Sequence, residues 1–167
     1  MSELLLIRHA GISYDRLEEI IKIKSQAWPY SFDKQLEWIN SNLKDSDIHV
    51  LLQESEKNIA YLNLIEIEIK IDGNLIDGYG IGNVCVDNKG HGWGTKIMSH
   101  TNLFLIQNNR VGLLFCKKPL IHFYSLNNWK LIERGKLLIS FDNESIATMI
   151  FNHNLEFQSL EYSGKPF

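Results

Sequence analysis

The residues best placed to do chemistry lie in the segment Lys89-Gly90-His91-Gly92-Trp93-Gly94-Thr95, which follows the apolar run Asn83-Val84-Cys85-Val86 and precedes the helical spacing of Ile97, Met98, Thr101 and Leu105. Glycines let a chain curl so that successive N–H groups aim at one point, and the free amides and dipole at a helix N-terminus favour an anion there. The expected guest is a phosphate or pyrophosphate. A Walker loop needs lysine before its Ser or Thr, but Gly94 is followed directly by Thr95. A dinucleotide loop follows the first strand of its βαβ unit and needs an acid on the next strand. This loop is mid-chain, and Val111 to Phe115 carries no acid.

Other candidates for chemistry are sparser. Tyr124 is a phenol in the stretch PLIHFYSLNNW, which runs from Pro119 to Trp129. Glu66, Glu68 and Asp77 can serve as bases through water, but the alternation of Glu66, Glu68 and Lys70 with Ile65, Ile67 and Ile69 already explains the first two as a solvated face. No general base is assigned. The histidines at 9, 49, 91, 100, 122 and 153 form no close pair on one helix or strand, so no metal is expected. Cys85 and Cys116 sit in apolar runs and read as buried thiols.

The elements that must position these residues follow from periodicity. Residues 3 to 9 suit a strand. Leu17, Ile20, Ile21, Lys24 by its stem, and Trp28 keep helical spacing from Tyr14, up to the break at Trp28-Pro29-Tyr30. Ser31 can cap a second helix whose apolar face is Phe32, Leu36, Ile39 and Leu43. Strands are predicted at 48 to 53, 58 to 70 and 75 to 86, the last two joined by the Asp72-Gly73 turn signal. Gly78, Gly80 and Gly82 mark the third of these for a bulge or a close backbone approach. A helix from about Thr95 to Gln107, a strand at 111 to 116, a Pro-initiated helix at 119 to 127 and a strand near 136 to 141 complete the order. This order predicts a mixed α/β (α+β) domain with a central, partly antiparallel sheet. Asn143 to Phe167 is polar and aromatic, with three roles open to it: a further strand, a cover for the site, or a contact with a second subunit in a homodimer.

Composition bounds the rest. A chain of 167 residues, 44% apolar, suits one domain spanning 1–167. A net charge of -3 without a basic block argues against a nucleic-acid partner. No apolar run approaches membrane-spanning length, and MSELLLIRHAG is too short in apolar residues for a signal core, so a cytoplasmic protein is expected. The sequon from Asn143 to Ser145 carries no weight without a secretory signal.

With these residues in view, the sequence resembles the GNAT superfamily of acyl-CoA-dependent N-acetyltransferases. The family's Gln/Arg-x-x-Gly-x-Gly/Ala motif is read as Lys89-x-x-Gly92-x-Gly94, and its Phe-Tyr-x-x-x-Gly-Phe/Trp segment as Phe123, Tyr124 and Trp129, with Asn128 at the glycine position. Lysine keeps the positive charge but not a bidentate grip, and asparagine tolerates the left-handed turn that a helix end needs. A narrower likeness to aminoglycoside 2'-N-acetyltransferases surrounds Gly112-Leu113-Leu114 and Arg134-Gly135-Lys136-Leu137, but Gly82 stands where a mechanistic glutamate is expected. The resemblance implies a GNAT fold, with a twisted, mostly antiparallel sheet flanked by about four helices. It also implies transfer of the acetyl group of acetyl-CoA to a primary amine by direct attack in a ternary complex. Coenzyme contacts would come from Asn83, Val84, Cys85, Val86, Lys89, Gly90, His91, Gly92, Trp93, Gly94, Thr95 and Asn128, and Tyr124 would be the general acid for the thiolate. The alternative is a non-catalytic acyl-CoA sensor on the same fold.

Overall fold

The computed structural model describes residues 1–141 and 144–167, so Asn143 of the sequon lies outside the described residues. In chain order the elements are β1 (Ser2–Arg8), α1 (Tyr14–Ala27), α2 (Phe32–Asn42), β2 (Ile48–Glu54), β3 (Lys57–Ile71), β4 (Asn74–Val86), α3 (Trp93–Gln107), β5 (Val111–Lys117), α4 (Ile121–Leu126), β6 (Lys130–Leu131), β7 (Leu137–Ile139), β8 (Ile146–Phe151) and β9 (Leu160–Tyr162). The hydrogen-bonded order is β1-β2-β3-β4-β5-β8-β6, with β9 pairing both β3 and β7. The chain divides into two compact units, residues 1–65 with 82–100 and residues 66–81 with 101–167; β3, β4 and α3 each continue from one into the other.

In the first unit, β1 and β2 pair antiparallel from Ser2↔Glu54 to Arg8↔Ile48, and β2 pairs antiparallel with β3. Both helices start where short hydroxyl side chains can replace the missing backbone partners. Ser13 Oγ accepts from Arg16 N–H at 3.3 Å, and Ser31 Oγ accepts from Lys34 N–H at 3.4 Å. Leu17, Ile20, Ile21 and Ile23 of α1 and Ile39 of α2 bury against Leu51, Tyr61 and Cys85. A fully buried isoleucine of this kind contributes about 2 kcal/mol. Lys24 departs from the reading by its stem, because the whole residue is 2% exposed and its ammonium lies 4.3 Å from the centre of the Trp38 ring. An aromatic face replaces part of the lost hydration.

In the second unit, β4 pairs parallel with β5 over Gly78↔Val111, Tyr79↔Gly112 and Gly80↔Leu113. β8 runs antiparallel to β5 over six positions and also pairs β6, while β9 joins β3 at Lys70↔Glu161. The tail therefore adds strands. Ile69, Leu113, Ile132, Ile150, Phe157 and Leu160 form the core of this unit. The turn signal holds at Asp72 (φ +48°) and Gly73 (φ +80°), two left-handed residues in succession, as a hairpin of matching twist requires.

Three boundaries shift. α3 begins at Trp93 rather than Thr95, because the Gly92 carbonyl already accepts the Lys96 N–H at 3.0 Å. The helix expected over 119 to 127 opens as a 3-10 turn, Lys118–Leu120, and its α-helical part is confined to Ile121–Leu126. The strand expected near 136 to 141 shortens to Leu137–Ile139 behind another 3-10 turn. Among the described residues, no helix is long and apolar enough to cross a membrane.

Candidate functional site

Asn83 marks where β4 stops being regular. Its φ is +55°, a left-handed residue inside a strand, and its side chain donates from Nδ2 to Asn63 Oδ1 at 2.7 Å. Such a residue turns the local N–H and C=O groups out of the ladder direction. Val84 and Val86 are half-buried, whereas Cys85 is buried among the residues under α1 and α2. Burial pushes the Cys85 thiol up to about 12 even with Lys24 nearby, so it stays protonated. Of the expected coenzyme contacts, Cys85 therefore has only its main chain to offer.

The loop that follows is open. Gly90 and Gly92 stand at φ +87° and +74°, and a side-chain carbon at either would meet no atom within 4 Å. Since the Gly92 carbonyl starts the helix, the N–H groups of Trp93, Gly94 and Thr95 have no partner inside it and face the helix N-terminal end. Lys89, Gly90, His91 and Thr95 are exposed and Trp93 and Gly94 half-buried. The rings of His91 and Trp93 stack at 6.1 Å with 7° between their planes. Lys96 lies 5.3 Å over the Trp93 ring and pairs with Glu54 at 3.3 Å. Asp87, just before the loop, is held by Lys57 at 2.7 Å, which offsets its repulsion of an anion. The arrangement can take up a diphosphate through main-chain donors, with Lys89 as an exposed cation beside them.

Tyr124 and Asn128 belong to the second unit. Trp129 N–H donates to Tyr124 O at 3.1 Å and Asn128 N–H to Ser125 O at 3.1 Å, with Asn128 at φ +67°. This is a Schellman end with asparagine in the left-handed position, as the Asn128 reading expected. Trp129 Nε1 donates to Asn102 Oδ1 at 3.0 Å and Asn102 Nδ2 to Asn127 O at 2.8 Å, which fixes the turn from α3. Tyr124 is 7% exposed, and its hydroxyl makes no hydrogen bond among the described residues. Burial, and after it the Cys116 thiol, raises the phenol above its ordinary range.

The carboxylates considered as bases are solvated: Glu66 and Glu68 flank the half-buried Ile67 of β3, and Asp77 pairs with Arg110 at 2.9 Å. The sequence reading missed that four polar residues gather on one face. Asn63 and His49 are fully buried, Lys24 nearly so, and His9 Nδ1 lies 3.0 Å from His49 Nε2. The two histidines are 40 residues apart, so only the β1–β2 register brings them together. Asn63 did leave a trace, as a lone amide within the apolar run Ile59 to Ile65. Among the described residues, no group of three or more His, Cys, Asp or Glu side chains could hold a metal ion.

No family model and no curated protein matches the sequence. Solved structures do. Escherichia coli ElaA superposes with a TM-score of 0.62 at 18% identity, over 91% of this chain and 100% of its own. An acyl-CoA N-acyltransferase from Pseudomonas aeruginosa gives 0.63 at 15% identity, over 90% and 99%. The Campylobacter jejuni N-acetyltransferase PseH in complex with acetyl coenzyme A gives 0.60 at 11% identity, over 91% and 100%. The mixed, mostly antiparallel sheet, with four α-helices among the described residues, thus has the GNAT fold of these solved structures.

Proposed function

We propose that this chain is an acetyl-CoA-dependent N-acetyltransferase acting on a primary amine of a small molecule or peptide. The observation that carries the reading is the loop before α3, with two left-handed glycines, open space at each, and three helix amides left unpaired. Main-chain donors bind a diphosphate without a lysine-serine motif, which separates this loop from nucleotide-hydrolysing ones. The solved relatives in fold support the choice of coenzyme, since one of them was crystallised with acetyl-CoA.

In this reading, main-chain N–H groups around Asn83, Val84 and Val86 polarise the thioester carbonyl. The neutral amine attacks the carbonyl carbon, the C–S bond breaks with its electron pair on sulfur, and Tyr124 protonates the departing thiolate. A phenol held above its usual range still carries its proton at neutral pH. The burial that raises it also raises the basicity of a thiolate formed beside it.

Two measurements test this. Acetyl-CoA at about one hundred times its dissociation constant should stabilise the native protein by about 2.7 kcal/mol in thermal unfolding, while ATP and NAD should leave it unmoved. Equal shifts with ATP would overturn the choice of coenzyme. Tyr124→Phe should keep acetyl-CoA affinity and cut turnover by about a hundredfold. An unchanged rate would remove Tyr124 from the chemistry.

A further inference from the structure

A row of polar side chains crosses the otherwise apolar face beneath α1 and α2. It starts at Asn83 on β4, whose Nδ2 donates to Asn63 Oδ1 on β3 at 2.7 Å. Asn63 is 0% exposed, and its own Nδ2 has no partner among the described residues. Directly opposite Asn63 in the β2–β3 register is His49, also 0% exposed. His49 Nδ1 lies 2.9 Å from the hydroxyl of Tyr61, which is two residues before Asn63 on the same face of β3. His49 Nε2 lies 3.0 Å from Nδ1 of His9, a half-buried residue just past β1. The row thus leads from the left-handed residue of β4, across β3 and β2, to a ring that solvent reaches.

Burying so many polar groups in one layer costs stability unless each finds a hydrogen-bond partner. An apolar core would have served the fold better at Asn63, whose free donor is left with nothing to bond. That donor is suited to a water or to a polar atom of a ligand near Asn83.

Resting on the acetyltransferase reading, we propose that this row, from Asn63 through Tyr61 and His49 to His9, carries the proton lost by the acceptor amine out to solvent. The proton passes to a water held by Asn63 Nδ2 and on to Tyr61 Oη. Tyr61 gives its own proton to His49 Nδ1 while His49 gives its Nε2 proton to His9 Nδ1, and His9 releases its outer proton to bulk water. Each group ends with the charge it began with. Tautomer exchange at His49 and at His9 resets the row. Asn63, Tyr61, His49 and His9 act here as positioning and relay residues, and the row supplies the base that the exposed carboxylates do not.

The surroundings suit a neutral relay. Lys24 faces it from α1, Cys85 from β4, Tyr61 from β3 and His9 from the end of β1. α2 presents the uncharged Trp38, and Asp47, in the turn before β2, gives its carbonyl to the His9 N–H and its carboxylate to the Lys44 N–H. Burial first, then His9 and Lys24, lowers His49 to about 3, so its ring stays neutral and one nitrogen remains an acceptor.

The test measures thiol release from acetyl-CoA with spermidine, tyramine and lysine as acceptors, across pH, in wild type and in the His49→Gln and His9→Gln variants. His9 is half-buried, so its variant remains informative should His49→Gln fail to fold. In wild type and variants alike kcat/KM should fall toward acid pH as the acceptor amine takes up a proton. In either variant kcat should drop by about a hundredfold, with the pH profile of kcat altered and the acetyl-CoA dissociation constant changed by less than about twofold. Rates and pH profiles that match wild type would overturn the row alone. No thiol release from any of these amines by wild type would overturn the acetyltransferase reading, and the row with it.

Discussion

At Gly90 and Gly92 the backbone stands at φ +87° and +74° with open space where a side chain would begin, whereas at Gly78, Gly80 and Gly112 the backbone needs no glycine but the space is taken. A side-chain carbon at Gly112 would come within 2.5 Å of the Trp129 ring and 2.8 Å of Leu105. At Gly78 it would meet the Val111 carbonyl at 2.6 Å, and at Gly80 the Phe167 ring. The loop glycines are there for conformation and access, the strand glycines for packing. One residue type thus marks an open, left-handed loop in one region and a tight interior in the other, and substitution should separate the two.

The largest effect is expected at Gly112. Trp129 is 2% exposed and tied by its Nε1 to Asn102, and Leu105 is 0% exposed, so neither can yield to a new methyl group. Gly112→Ala should cost about 3 kcal/mol in urea unfolding. A cost below about 0.5 kcal/mol, the usual range for an unconstrained surface change, would show that the interior relaxes and break the contrast. Next comes Gly80, where a half-buried ring is the obstacle. Gly80→Ala should cost about 2 kcal/mol, and most of that loss should vanish in a chain that also carries Phe167→Ala, a coupling read from the double-mutant cycle. Additive costs would mean that the ring is not what excludes a side chain there.

The smallest stability effect, and the clearest effect on binding, belongs to the loop. Gly92→Ala should cost only about 1 kcal/mol, the strain of a left-handed alanine. Its acetyl-CoA affinity by calorimetry should fall about tenfold, because the same strain turns the amides away from the anion. Gly112→Ala, by contrast, should bind acetyl-CoA normally at temperatures where it is folded. If Gly92→Ala binds as tightly as wild type, the loop is a connection and not a cradle.

The loop was legible because everything it needs is local. Glycines at 90, 92 and 94 between an apolar run and a helical pattern specify a strand, a curl and a helix start within about a dozen residues. The Schellman end at Asn128 was legible for the same reason, since asparagine in the left-handed region is a local preference. The strand glycines were visible only as an oddity at 78 to 82, because the groups that exclude a side chain come from Val111 and Phe167, distant in sequence. Lys24 shows how a helical wheel can mislead. Spacing put it on the buried face, and only packing against Trp38 placed its ammonium there too. The tail was open to several roles because six residues of β8 look alike as strand, cover or interface until a partner strand is present.

The sequence by itself determined the element order from β1 to β5, the two turns of special backbone at Asp72-Gly73 and Asn128, and the glycine loop before α3, since each rests on short-range propensity and residues close along the chain. Tertiary structure alone decided that His9, His49, Tyr61, Asn63 and Asn83 form one polar row, and that Tyr124 is buried. Those facts depend on strand register and on what packs above the sheet. Contacts between residues tens of positions apart are fixed by the closing of the core and not by any preference a single residue carries.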